Sequence, residues 1–391
     1  VNDVEQDVLF MRQALRLAAR GRRTVRPNPM VGAVIVADGA VVGAGYHRRA
    51  GGPHAEIVAL RQARTRSRGA TLYTTLEPCC HTNKRTPPCV PAILASGVRR
   101  IVLAMRDPNV QVAGRGIRQL RRAGLSVDVG CLGKEAAQLN EVYLHWMKTK
   151  RPFVVLKAAM TLDGKIATAS GESQWITGAK ARAHVHQLRS QVDVIAVGVE
   201  TVLKDDPQLT VRLSGGQRSA TGVRQPVRLI VDSRLRTPYK ARVLQGIEQA
   251  PTVIATTKLA GPRKVERLRK MGVQVLVLPR KGNRVSLDKC LQALGNMGIV
   301  SMLLEGGSEL NAAFLRAGLV NRVALYVAPS LLGGQLTKGL LGGPSPGRLA
   351  EILPVSNLQV QTLGEDMLVT GNVVSLPFVS GRISEEGMRV G

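Results

Sequence analysis

His54 stands two residues before Glu56, and Pro78-Cys79 and then Cys89 follow them. One imidazole and two thiolates are three ligands that suit Zn²⁺, and a three-ligand site keeps a fourth position open for water. Zinc brings the pKa of such a water toward neutrality. A carboxylate that stays off the metal can carry the water's proton. The order H-x-E…P-C…C is the pattern of enzymes that hydrolyse an amino group from a heterocyclic base. If His54 merely began a helix and the cysteines were ordinary buried thiols, the joint occurrence of these residues would have no explanation. Cys80 and His81 adjoin the motif and are also competent ligands, whereas Cys131 and Cys290 are distant in sequence and read as structural.

The geometry places demands on the chain. Residues two apart do not share a face in mid-helix. His54 and Glu56 therefore need to occupy the first turn and look over the helix end, which Pro53 favours. That helix is expected to run toward Arg64, and a strand at 71–76 should deliver Cys79. A short helix at 91–96 and a strand at 100–105 follow. Upstream, Val4, Val8, Met11, Leu15 and Ala18 mark an amphipathic helix, and runs at 31–36 and 41–46 flank Asp38-Gly39, a hairpin signal. Helices alternating with strands indicate an α/β fold with a partly parallel sheet.

A basic connector at 148–152 ends in Pro152, after which the alternation restarts. Strands are expected at 153–158, 193–197, 227–232, 252–256, 273–278 and 300–304, with helices at 180–190 and 308–317. Segments at 323–327, 358–362 and 367–374 read as antiparallel strands closing the sheet, and 215–219 as a surface loop. The expected domains are 1–148 and 149–377, with a tail at 378–391.

The chain has 55 Lys+Arg against 27 Asp+Glu, a formal charge of +28. Its basic residues are scattered and its aromatics are only 3%. That argues against a base-stacking platform for nucleic acid and for a solvated surface that attracts small anionic substrates. The absence of an apolar run of about 18 residues predicts no membrane span. Val1 to Glu5 is acidic and lacks the order of a signal peptide. Five cysteines, three of them in one loop, point to metal binding in a reducing compartment, and the cytoplasm is the expected location.

Around the metal motif the sequence resembles the bifunctional riboflavin-biosynthesis deaminase–reductases. Pro27-Asn28-Pro29-Met30-Val31-Gly32, Gly43-Ala44-Gly45-Tyr46-His47, Gly52-Pro53-His54-Ala55-Glu56 and Leu76-Glu77-Pro78-Cys79 carry the likeness, with Arg85-Thr86-Pro87-Pro88-Cys89 and Asp107-Pro108-Asn109. The resemblance implies a cytidine-deaminase-like three-layer α/β/α domain followed by a dihydrofolate-reductase-like α/β domain. It implies Zn²⁺ on His54, Cys79 and Cys89, Glu56 as proton shuttle, and Asn28 and His47 against the base. The family's loop between the two cysteines is typically one residue shorter. Either residues are inserted near Thr82-Asn83-Lys84, or Cys80 replaces Cys79; the Pro78-Cys79 match favours the insertion.

The second half resembles the family's reductase domain. The matching blocks are Lys157-Ala158-Ala159-Met160-Thr161-Leu162-Asp163-Gly164-Lys165, Ser170-Gly171-Glu172-Ser173-Gln174-Trp175, Val199-Glu200-Thr201 with Asp205-Asp206-Pro207, and Leu304-Glu305-Gly306-Gly307. The likeness implies NADPH on Ala159, Trp175, Thr201, Asp205, Ser233 and Gly307, and substrate on Ser173, Arg189, Leu209, Arg212 and Glu305. Standing alone, Trp175 would read as core and Asp205-Asp206-Pro207 as a turn. Gly306-Gly307 between strand and helix can present backbone N–H groups to a diphosphate. Arg189 and Arg212 suit a phosphate, Arg234 and Arg236 a cofactor 2′-phosphate, and Lys157 or Asp163 an acid–base role.

The implied substrate is a small phosphorylated pyrimidine. Homo-oligomers are compatible with such sheets, whose exposed edges often pair. The rival readings are a tRNA base deaminase with an accessory α/β domain, and a degenerate deaminase domain that only binds.

Overall fold

The computed structural model describes residues 3–82, 86–212 and 224–374. The chain splits into two compact units, and the division falls between Arg151 and Pro152. The loop expected at 215–219 and the expected tail at 378–391 lie outside the described residues.

In the first unit, α1 (Asp3–Ala19) buries Met11, Ala14 and Ala18 on one face. Strands β1 (Gly32–Ala37) and β2 (Ala40–Tyr46) form the expected hairpin, turning through Asp38 and Gly39 at φ 49° and 76°. Then come α2 (Ala55–Ala63), β3 (Thr71–Thr74), α3 (Cys89–Ala95) and β4 (Arg100–Leu103). Four elements go beyond the sequence reading: α4 (Arg115–Arg122), β5 (Ser126–Val129), α5 (Gly133–Leu139) and α6 (Glu141–Thr149). Because α6 continues to Thr149, the connector shrinks to Lys150, Arg151 and Pro152.

The sheet runs β2-β1-β3-β4-β5, antiparallel at the hairpin end and parallel from β3 onward. Alternation along β1 divides the core. Val34 and Val36 pack with Phe10 and Met11 of α1, while Ala33 and Ile35 pack with α2 and α3. This is a three-layer α/β/α unit. Two glycines on β2 set the height of α2: a Cβ on Gly43 would stand 2.3 Å from the Ala59 carbonyl oxygen, and one on Gly45 2.6 Å from that of Ala55. The N-terminus of α2, with His54 as its N-cap, is thus seated directly on bare strand.

The second unit opens with β6 (Phe153–Thr161), β7 (Lys165–Ala167), α7 (Ala179–Arg189), β8 (Val194–Gly198) and α8 (Val199–Asp205). It continues with β9 (Val227–Val231), β10 (Thr252–Thr256), α9 (Pro262–Lys270), β11 (Gln274–Val277), β12 (Arg280–Lys281) and β13 (Arg284–Val285). The last elements are α10 (Leu287–Asn296), β14 (Ser301–Leu304), α11 (Ser308–Arg316), β15 (Arg322–Ala328), β16 (Lys338–Gly339), β17 (Val355–Leu363) and β18 (Asp366–Val373).

Nine strands form one sheet in the order β11-β10-β9-β8-β14-β6-β15-β18-β17. Val194 and Ala196 of β8 join one core with Leu294 and Phe314, and Ile195 and Val197 join another with Val202 and Leu268. Both faces are therefore covered, as a largely parallel sheet requires. The final strands differ in one respect from expectation. Strands β17 and β18 are antiparallel, but β15 runs parallel to β6 and antiparallel only to β18. The cause is the crossover through α11, which returns the chain to the same end of the sheet before β15 begins.

Candidate active sites

The cluster in the first unit assembles at the N-terminus of α2. Nδ1 of His54 lies 3.4 Å from Sγ of Cys79 and 3.3 Å from Sγ of Cys89, and the three ligand atoms all fall within 4.8 Å of one another. Tetrahedral zinc with bonds of about 2.0–2.3 Å needs ligand atoms roughly 3.3–3.8 Å apart, so these donors fit the ion. Cys79 and Cys89 are buried. Cys80 instead points its thiol toward the Gln111 carbonyl at 3.9 Å, so Cys79 is the thiol brought to the cluster. Helix α3 starts at Cys89 itself, two residues earlier than expected, which puts that thiol in its first turn.

Glu56 is 3% exposed, and its Oε2 is buried with no protein partner. Burial, and next the Cys79 charge, push its carboxyl above the usual range. Beside it, the His47 ring meets that of His54 edge-on at 5.2 Å. Nδ1 of His47 contacts the Pro53 carbonyl at 3.1 Å, and Nε2 contacts the Asn28 amide nitrogen at 3.0 Å. Since a carbonyl only accepts, Nδ1 donates and Nε2 accepts from Asn28. Glu77 is a support that the motif reading missed. Its carboxylate accepts from the backbone N–H groups of Asp107, Gly114 and Ile117 at 3.3, 2.9 and 3.2 Å, fixing the following loop against Pro78-Cys79.

In the second unit a cleft of about 1720 Å³ lies between α7, α8, α11 and the ends of the central strands. Ala159, Trp175, Thr201, Asp205, Ser233 and Gly307 all line it. So do Ser173, Arg189, Leu209, Arg212 and Glu305, so the two expected sets share one cavity. Trp175 is 69% exposed with the Arg182 guanidinium 4.9 Å from its ring centroid, so it is no core residue. A Cβ on Gly307 would meet nothing within 4 Å, which leaves open space beside the N-terminus of α11.

Arg189 is not held out for a phosphate: Nε and Nη2 bind the two oxygens of Glu305 at 2.7 and 2.8 Å. Burial pushes Glu305 up, but Arg189 outweighs it and holds the carboxyl at about 2. Lys157 lies 4.0 Å from Glu305, and burial lowers its pKa. Asp163 is occupied elsewhere, accepting from Thr161 and from the backbone N–H groups of Leu332 and Gly333. Arg236 pairs with Glu200, whereas Arg234 lines the cleft with no such ion pair among the described residues.

Residues 4–105 match the family described as cytidine and deoxycytidylate deaminase zinc-binding region, and residues 152–369 match the RibD C-terminal domain. The riboflavin biosynthesis protein RibD of Actinobacillus pleuropneumoniae is 45% identical, covering 94% of this chain and 96% of its own length. That of Escherichia coli is 43% identical over 93% and 98%. A solved structure of Acinetobacter baumannii RibD superposes with a TM-score of 0.86 at 39% identity, covering 95% of this chain and 100% of that one.

The chain belongs to the RibD family. As a RibD protein it is a bifunctional enzyme of riboflavin biosynthesis, a zinc-dependent deaminase followed by an NADPH-dependent reductase. Its units carry the cytidine-deaminase-like and dihydrofolate-reductase-like folds. The match extends through both units, so the tRNA-deaminase alternative has no support. Among the described residues, no helix of this RibD protein is long and apolar enough to cross a membrane.

Proposed function

We propose that His54, Cys79 and Cys89 hold the zinc, that Glu56 moves the protons, and that Asn28 and His47 hold the pyrimidine. The substrate of this half is 2,5-diamino-6-ribosylamino-4(3H)-pyrimidinone 5′-phosphate. Zinc, when bound, supplies water activated at neutral pH. Glu56 Oε2, buried and unpartnered, would carry two protons in turn, one to the ring nitrogen and a second to the departing amine, so that ammonia leaves and the ring keeps its N–H. Asn28 donates to His47, which leaves its own carbonyl free to accept from the base.

The second half reduces the ribosyl group of 5-amino-6-(5-phosphoribosylamino)uracil to ribityl. NADPH supplies the hydride; the protein binds, orients and excludes water. Ala159, Trp175, Thr201, Asp205, Ser233 and Gly307 line the cofactor's share of the cleft, and Ser173, Leu209 and Arg212 the substrate's. Arg189 acts through Glu305, which it fixes beside Lys157. Lys157 is the proton carrier, since Asp163 is already occupied by backbone N–H groups.

The chain works in the cytoplasm, where its five free thiols stay reduced. Self-association has a natural surface in β17, a sheet edge on which Leu358 and Val360 are exposed.

The observation that carries this reading is the His54–Cys79–Cys89 cluster with an unpartnered, buried Glu56 carboxylate oxygen beside it. A mass-spectrometric assay tests it. Zinc-loaded protein and the diaminopyrimidinone ribosyl phosphate should give the deaminated product without NADPH, and its two-hydrogen-heavier form with it. Deamination without reduction refutes the reductase half, and no change in either tube refutes the substrate.

A further inference from the structure

We propose that Thr86 is a positioning residue for the metal: its hydroxyl oxygen accepts a hydrogen bond from Nε2 of His54 and thereby commits Nδ1 to zinc. This rests on the zinc reading above. Nδ1 is the ring atom that faces both thiols, at 3.3 and 3.4 Å. A neutral imidazole has one N–H and one lone pair. A ligand nitrogen must present the lone pair, so the hydrogen sits on Nε2. The Thr86 hydroxyl oxygen stands 3.1 Å from Nε2 and is there to receive it. The opposite tautomer would turn an N–H toward the two sulfurs and remove the third ligand.

The segment that carries Thr86 is suited to the task. Pro87 and Pro88 follow it, each restricting its own φ, and Pro88 has φ −64°. Cys89 comes next, and its N–H donates to the Cys79 carbonyl at 3.0 Å, with the Cys79 sulfur 3.4 Å away. One stretch of four residues thus supplies a ligand and the group that orients a second ligand on another element.

The test uses the full-length protein and its Thr86→Val and Thr86→Ser variants. Zinc affinity is measured by competition with a chromogenic chelator, and the Co²⁺-substituted absorption spectrum is recorded. Valine keeps the branched shape and removes the hydroxyl. Its zinc dissociation constant should rise about ten- to hundredfold and its cobalt bands should shift, while serine restores both. NADPH-dependent reduction and the melting of the metal-free protein should not change. Unchanged zinc affinity in Thr86→Val overturns the proposal, and so does a loss in Thr86→Ser as large as that in valine. If the wild-type protein takes up no zinc, the zinc reading itself fails and this proposal falls with it.

Discussion

Glu56 and Glu305 are both buried carboxylates, and their surroundings assign them opposite tasks. Glu56 lies beside the Cys79 thiol, which with burial raises its pKa, and its Oε2 is buried without a hydrogen-bond partner. Glu56→Gln should keep its zinc and its reduction rate but lose deamination by about 10²–10⁴-fold, read as ammonia release. Glu305 is tied by two hydrogen bonds to Arg189 and is charged at any ordinary pH. Glu305→Gln leaves a guanidinium buried without its counter-charge and should cost about 3–5 kcal/mol in denaturant unfolding of the second unit.

The sign of the pH effect follows from Glu305's depressed pKa. The stability it contributes is complete above the ordinary carboxyl value of 4.5 and is lost as pH falls toward about 2. Acid unfolding of the second unit should lack that component in the glutamine variant. The zinc motif was legible at this scale because His54, Glu56, Pro78, Cys79 and Cys89 lie within 36 positions and each residue type is distinctive. The Arg189–Glu305 pair was not, because its partners are 116 residues apart and only folding shows that each occupies the other.

Among the elements, β2 and α2 decide where His54 meets the two thiols. Gly43 and Gly45 let the helix rest on the strand at a distance no side chain permits. Gly45→Val should displace the first turn of α2, lower the melting temperature of the first unit by several degrees and weaken zinc binding. Gly39→Ala, in the open hairpin turn at φ 76°, should cost about 1 kcal/mol and leave zinc affinity alone. Differential scanning calorimetry with a zinc titration separates the two. The hairpin could be read in advance because Asp38-Gly39 supplies the two positive-φ residues that its turn needs. The direction of β15 could not, since its segment reads the same whether its neighbour is parallel or antiparallel. The crossover through α11 settles it.

For the molecule as a whole, two chemistries on separate cores should fail separately. Removing zinc with a chelator should abolish deamination and leave reduction of added 5-amino-6-(5-phosphoribosylamino)uracil intact, followed as NADPH oxidation. The net charge of +28 acts on both halves. Raising salt from roughly 0.1 to 1 M shortens the screening length from about 10 Å to about 3 Å. KM for the phosphorylated substrates should therefore rise in both reactions, with kcat changing less. Equal effects on kcat would place the charge in the chemistry instead of in substrate capture.

The position of β6 bears on how the protein is made. Phe153 opens the first strand of its sheet to leave the ribosome, yet its partner in β14 is Ser301, and its other neighbour, β15, begins at Arg322. Throughout that stretch of translation the nascent strand has two bare edges and an apolar sequence. The first unit's sheet ends with β5 at Val129 and can close long before. A ribosome stalled between β8 and β14 would therefore carry a finished deaminase joined to an open, adhesive sheet. Trigger-factor-like holdases should be needed over that interval and dispensable once Ala328 has emerged.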